Sequence, residues 1–234
     1  MENQPIADTA SKLIIVPGHA VYEGNHSADA YDATKWVGTY SGYVYGDEVM
    51  NYVRHIQRGI NLADRDSRSV LLMSGGKTRE DSKRSEAESY FDLAEQLSWF
   101  GAQSVADRVR LEEFATDSFE NLLFSIQLFQ MLHPKLRFPQ KVTVVGLRFK
   151  SLRYHLHADA IIKNTYRSIP PFVFRYDDVN DIPDYVLDAG SAEGEELTRR
   201  QFEVWPFGDQ GELASKRISR NHHGTYDSRP YPKT

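Results

Sequence analysis

Cysteine is absent from the 234 residues, which excludes disulfides, thiol nucleophiles and thiolate metal sites. Long apolar runs are absent as well. The polar, acidic start MENQPIADTASK is followed only by Leu13 to Val16, far short of a signal-peptide core or a membrane span. The expectation is an unanchored cytoplasmic protein with no membrane partner. Positive charge is in deficit, with 28 Lys and Arg against 33 Asp and Glu and a net charge of −5. A general nucleic-acid binder needs a concentrated basic surface, so no nucleic-acid partner is expected. A phosphate loop is missing too: Gly76-Lys77-Thr78 closes the Walker pattern, but Leu71 stands where its first glycine belongs. No GxGxxG follows an apolar run, which disfavours dinucleotide redox chemistry.

What is present is an alternation. Short apolar runs at Leu13 to Val16, Val70 to Met73, Val109 to Leu111, Val142 to Val145 and Phe172 to Phe174 read as strands. Between them, Val49, Tyr52, Val53, Ile56 and Ile60 share one helical face. Ala87, Tyr90, Phe91, Ala94 and Leu97 share another, and Phe119, Leu122, Leu123, Ile126 and Phe129 a third. Asp117 and Glu120 have the spacing that caps the third helix, and Ser151 starts a fourth running to about Ile162. Parallel strands need crossovers, and crossovers cover the sheet, so the pattern predicts an α/β three-layer Rossmann-like sandwich with a mainly parallel sheet. Residues 1–176 form this ligand-binding domain, and 177–234 a C-terminal extension packing on it. That extension holds a helix over Ala192 to Val204 and a surface tail from Gly208. The stretch 17–43, rich in His and aromatic residues, is long for a connection and reads either as a lid or as an insertion packing its aromatics on the body.

In this architecture ligands sit beyond the carboxyl ends of the strands, so those residues carry the functional reading. Gly18 and His19 follow the first strand. Ser74, Gly75, Gly76 and Lys77 follow the second, where the glycine amides could surround an anionic oxygen. Glu86 opens the next helix. Glu112 ends the third strand, and Ser118 and Asn121 open the helix beyond it, beside an N-terminus that favours anions. Arg148, Lys150 and Arg153 follow the fourth strand and suit phosphate or carboxylate. Glu86, Glu112 and His19 are the candidate acid, base or orienting groups. For each of these, capping or structural hydrogen bonding is the plain alternative. No metal is expected: His155 and His157 are two apart in a helix, unlike a zinc pair at i and i+4, and read as surface or packing histidines.

The order of these motifs, GH, SGG, SEA, ExxxxxSxEN and VxxxFKxxR, resembles the YdcF, SanA and ElyC-like family, domain of unknown function 218, over about Lys12 to Ile162. Ser74, Gly75, Gly76, Ser85, Glu86, Ala87, Glu112, Glu120, Asn121 and Arg153 match its pattern. Ala115, Asp117 and Lys150 depart from it, Lys150 standing for a histidine, so that it keeps cationic binding without titration near neutrality. The tail, with KRISRN and RPYP, resembles the fungal branch. The resemblance implies a Rossmann-like fold with a polar pocket and makes S-adenosylmethionine a candidate ligand.

The resulting expectation is a small-molecule hydrolase or group transferase acting on a phosphorylated or nucleotide-like anion. The alternatives are a non-catalytic sensor of S-adenosylmethionine or a related nucleotide, and a protein-interaction module.

Overall fold

The computed structural model describes residues 10–38, 48–134, 138–163, 169–179 and 189–231. Five parallel strands form the main sheet: β1 (Lys12–Pro17), β4 (Ser69–Ser74), β5 (Val109–Glu112), β6 (Lys141–Gly146) and β7 (Val173–Asp178), in the order β5-β4-β1-β6-β7. The continuous apolar runs follow from burial on both faces. Leu13, Ile15, Val70, Leu72, Val142 and Val144 point into one core, while Ile14, Val16, Leu71, Met73 and Val145 point into the other.

Helices α1 (Glu48–Asp64) and α2 (Glu86–Gln96) cover the second face, and α3 (Ser118–Leu132) and α4 (Ser151–Lys163) the first. This is the expected Rossmann-like sandwich. Ser85 caps α2 by accepting from the Glu88 amide, and Asp117 caps α3 by accepting from the Glu120 amide. From β1 the chain winds outward through β4 and β5, then returns to β6 on the other side. The reversal opens a crevice beyond the carboxyl ends of β1 and β6.

Strand limits shift modestly from expectation. The fifth run extends to Asp178, because an edge strand buried on one face alternates rather than staying apolar. A short antiparallel ribbon, β2 (Val21–Tyr22) with β3 (Trp36–Val37), was not foreseen. It lies in the 17–43 stretch, whose Tyr22, Ala30 and Trp36 are buried among α1 and α2. Trp36 sits 5.1 Å from the Tyr22 ring and 5.4 Å from Tyr52, and its indole donates to the Ala30 carbonyl at 3.1 Å. Within the described residues this stretch therefore packs its aromatics on the body. Tyr40 and Tyr43, also read as part of it, lie outside the described residues.

The C-terminal part differs most from expectation. After α5 (Ala189–Val204), the stretch read as a surface tail contains a helix, α6 (Gly211–Ser219), that buries Leu213 and Arg217. Arg217 Nε donates to Asp117 at 2.6 Å, its Nη1 lies 3.4 Å from Glu120, and its Nη2 donates to the Phe207 carbonyl at 2.6 Å. Glu120 also accepts from the Tyr226 hydroxyl and from the amide and hydroxyl of Thr116. Tyr231 stacks on Phe124 with ring centroids 4.9 Å apart. The terminal segment is thus keyed into the start of α3.

Among the described residues no helix is long and apolar enough to cross a membrane.

Removing one partner of a buried ion pair strands the other charges, at about 3–5 kcal/mol. Arg217→Met is therefore expected to lower unfolding stability in urea by about that amount and to expose α6 to limited proteolysis. A loss below about 1 kcal/mol would place the pair in the surface class instead.

Candidate functional site

A cavity of about 280 Å³ occupies the crevice. Gly18 and His19 reach it from the end of β1, Thr78 and Arg79 from the loop after β4, and Glu86 from the first turn of α2. Asp117, Ser118 and Asn121 enter from α3, and Phe149, Lys150, Arg153 and Tyr154 from the turn after β6 and from α4. The last wall is C-terminal: Glu195, Thr198 and Phe202 of α5, then Leu213, Lys216 and Arg220 on and just after α6.

Seven of the expected residues therefore meet: Gly18, His19, Glu86, Ser118, Asn121, Lys150 and Arg153. The others do not line the cavity, for reasons of bonding. Gly75 N donates to Glu112 O at 2.9 Å and Gly76 N to Ala115 O at 2.8 Å, so these amides are already engaged and do not surround a ligand. The glycines provide space instead. Gly75 has φ +154°, and a Cβ there would lie 2.6 Å from Glu86 Oε2; a Cβ on Gly18 would lie 2.4 Å from Glu86 Cβ. They form the seat of Glu86.

Glu112 is likewise a scaffold group rather than an exposed acid or base. Fully buried, it accepts from the Phe114 amide at 2.8 Å, the Ala115 amide at 3.1 Å and the Ser74 hydroxyl at 2.6 Å, closing the turn into α3. Ser74 Oγ also lies 2.9 Å from Asn121 Oδ1, and Asn121 bonds the Tyr154 hydroxyl. Ser74 thus supports Asn121 from beneath. Lys77 is half-buried outside the cavity, and Arg148 is exposed, 3.4 Å from Asp178. Both are corrections to the expected anion grip: each follows a strand, but neither lines the cavity.

The lining carries strong local fields. Glu86 accepts from Thr78 at 2.6 Å and faces Arg79 Nε at 4.0 Å. Arg153 pairs with Glu195 at 3.1 Å, and burial pushes the Glu195 carboxyl upward despite that partner. Lys150 Nζ lies 3.0 Å from His19 Nδ1. Burial, reinforced by Arg153, brings Lys150 down to about 7. The expectation that Lys150 does not titrate near neutrality is therefore corrected. His19 is held well below its ordinary value by burial and then by Lys150, so its ring is neutral and can accept from the ammonium. Lys216 is also lowered, by burial and then by Arg220 and Arg153.

Ser118 Oγ lies 2.8 Å from His157 Nε2. Burial depresses His157 to about 3, and its Nδ1 has no partner. Packed 4.4 Å from the Phe202 ring, it is a packing histidine, while His155 is exposed. His26, Asp29 and Asp32 of the aromatic-rich stretch engage in local turns, Asp29 accepting from the Asn25 and His26 amides and Asp32 from Thr34.

Lys216, Arg220, Glu195 and Thr198 were missed. One signal was available: Lys216 and Arg220 are four apart in SKRISR, on one helical face. Nothing local tied that face to the strand ends.

Fold and cavity together define a Rossmann-like α/β protein with a small polar, cation-lined crevice at its topological reversal. No family model matches the chain, and no solved structure matches it. It is 26% identical to a Saccharomyces cerevisiae protein named "Uncharacterized protein YOR238W", in an alignment covering 92% of this chain and 84% of that protein.

Burial raises Glu112 to about 8. A carboxyl raised above its unfolded value stabilises the fold in its protonated form. That contribution is complete below the unfolded value and is lost as pH rises towards 8, each pKa unit being worth about 1.4 kcal/mol. Glu112→Gln mimics the protonated acid, so its stability relative to wild type should rise between pH 5 and pH 8. A pH-independent difference in urea unfolding would show Glu112 to be ionised throughout.

Proposed function

We propose that the protein is a small-molecule hydrolase or group transferase whose substrate is a phosphorylated or nucleotide-like anion bound in the strand-end cavity. The observation that carries this reading is the convergence of Lys150, Arg153, Lys216 and Arg220 on one partly enclosed space, with Lys150 against a neutral His19. Phosphoryl oxygens are the natural complement of such a set. A volume of about 280 Å³ suits a small metabolite.

The chemistry follows from the pair. A Lys150 ammonium titrating near neutrality can release a proton to a leaving oxygen and regain one from solvent in the cavity, the neutral His19 Nδ1 accepting a hydrogen bond that holds the amine in place. Asn121, supported by Ser74, and the Ser118 hydroxyl offer neutral hydrogen bonds on the α3 side. Glu86, held by Thr78 and Arg79, orients Arg79 and the rim beside His19. The resemblance of the SGG, SEA and SFEN motifs to the YdcF-like family is consistent with a polar pocket at this place. S-adenosylmethionine ranks lower as a ligand, since its sulfonium adds positive charge to a wall already rich in it.

A thermal-shift screen with nucleotides, sugar phosphates and S-adenosylmethionine tests the reading. A phosphorylated ligand at 100 times its dissociation constant should add about 2.7 kcal/mol of stability. On a turned-over hit, kcat/KM should fall as pH rises through about 7, where Lys150 loses its proton. Lys150→Arg, which keeps charge but cannot titrate, should retain binding and lose both turnover and that limb. Full activity in Lys150→Arg would remove the proton-transfer role, and anion binding without turnover of any hit would favour a sensor.

A further inference from the structure

The cations of the cavity are unequally matched. Arg79 faces Glu86 at 4.0 Å and Arg153 faces Glu195 at 3.1 Å, while Asp117 is engaged by Arg217 from behind. Lys150, Lys216 and Arg220 meet no carboxylate within ion-pair distance among the described residues. Lys150 hydrogen-bonds a neutral imidazole, and Arg220 donates to the Thr116 carbonyl at 2.6 Å, which carries no net charge. Arg153 Nε, although buried, donates no hydrogen bond. Lys150 and Arg220 are half-buried and Lys216 is exposed at the cavity's rim, so their positive charge faces the crevice with no ion-pair partner and favours an anion there.

These cations come from two places. Lys150 and Arg153 belong to the turn after β6 and the first turn of α4. Lys216 and Arg220 belong to α6 and the residue after it, which the buried Arg217 fixes against Asp117 and Glu120. Two cationic pairs thus face one cavity from separate helices. Placement decides between ligand sizes. The two cationic pairs stand on different walls of the cavity, and a phosphate monoester offers one group of phosphoryl oxygens, whereas a diphosphate offers a second group, and a further charge, for the second pair. Phe149, Phe202 and Leu213 supply an apolar wall for an organic group.

We propose that Lys216 and Arg220 are ligand-binding residues that act with Lys150 and Arg153, and that the ligand is a small-molecule diphosphate ester. This rests on the anion-binding reading above and adds its substrate class and its C-terminal half-site. The terminal segment is then part of the site, not only a covering for the domain.

Isothermal titration calorimetry on the full chain, with inorganic diphosphate and inorganic phosphate as probes, tests this. Wild type should bind diphosphate about tenfold or more tightly than phosphate, and Lys216→Met and Arg220→Met should each weaken diphosphate by about tenfold and shrink that preference. Arg220→Lys, which keeps the charge and a donor for Thr116, should lose less, and exposed Lys83→Met, outside the cavity, should change nothing. Thermal unfolding of each variant confirms that it is folded. Equal affinity for the two anions, or an unchanged diphosphate affinity in folded Lys216→Met and Arg220→Met, overturns the proposal while leaving anion binding intact. Failure of wild type to bind either anion removes the anion-binding reading as well.

Discussion

The buried contact of Arg217 with Asp117 and Glu120 is the interaction on which the site depends. Asp117 serves two partners: one oxygen caps α3 and the other accepts from Arg217. A buried ion pair is weak as a source of net stability, but a misplaced partner is heavily penalised, which makes it good at fixing register. Here it fixes α6 against α3 and so sets where Lys216 and Arg220 point. The fold core alone would present the strand ends as an open rim. With the terminal helices seated, the rim becomes a cavity whose walls come from distant parts of the chain.

The fold was legible because two-sided burial leaves a plain mark on sequence. Runs such as Leu13 to Val16 and Val70 to Met73 have no polar face, and the helices between them keep a 3.6-residue period. The ribbon of β2 and β3 left no such mark, being two residues per strand. Helix α6 was hidden by polarity: of its nine residues only Leu213 and Arg217 are buried, and a buried arginine looks in sequence like a solvated one.

The site was legible only by location. Gly18, His19, Glu86, Ser118, Asn121, Lys150 and Arg153, singled out by strand-end position, line one cavity, but position does not say which way a side chain turns. Glu112 illustrates the difficulty, since a carboxylate closing a turn with backbone amides has the same residue type and position as a general base. Gly75 and Gly76 suit an anion loop equally well, yet their amides belong to Glu112 and Ala115 carbonyls and their missing side chains make room for Glu86. Lys216 and Arg220 were beyond reach because the contact that positions them spans about half the chain.

We propose that cations from the junction of β6 and α4 and from the end of α6 share one anion. A crystal structure of the protein with inorganic diphosphate tests it most directly. Two phosphorus positions are expected in the strand-end cavity, one within hydrogen-bond reach of Lys150 or Arg153 and the other of Lys216 or Arg220. Diphosphate bound elsewhere, or α6 seated away from the strand ends, would contradict it.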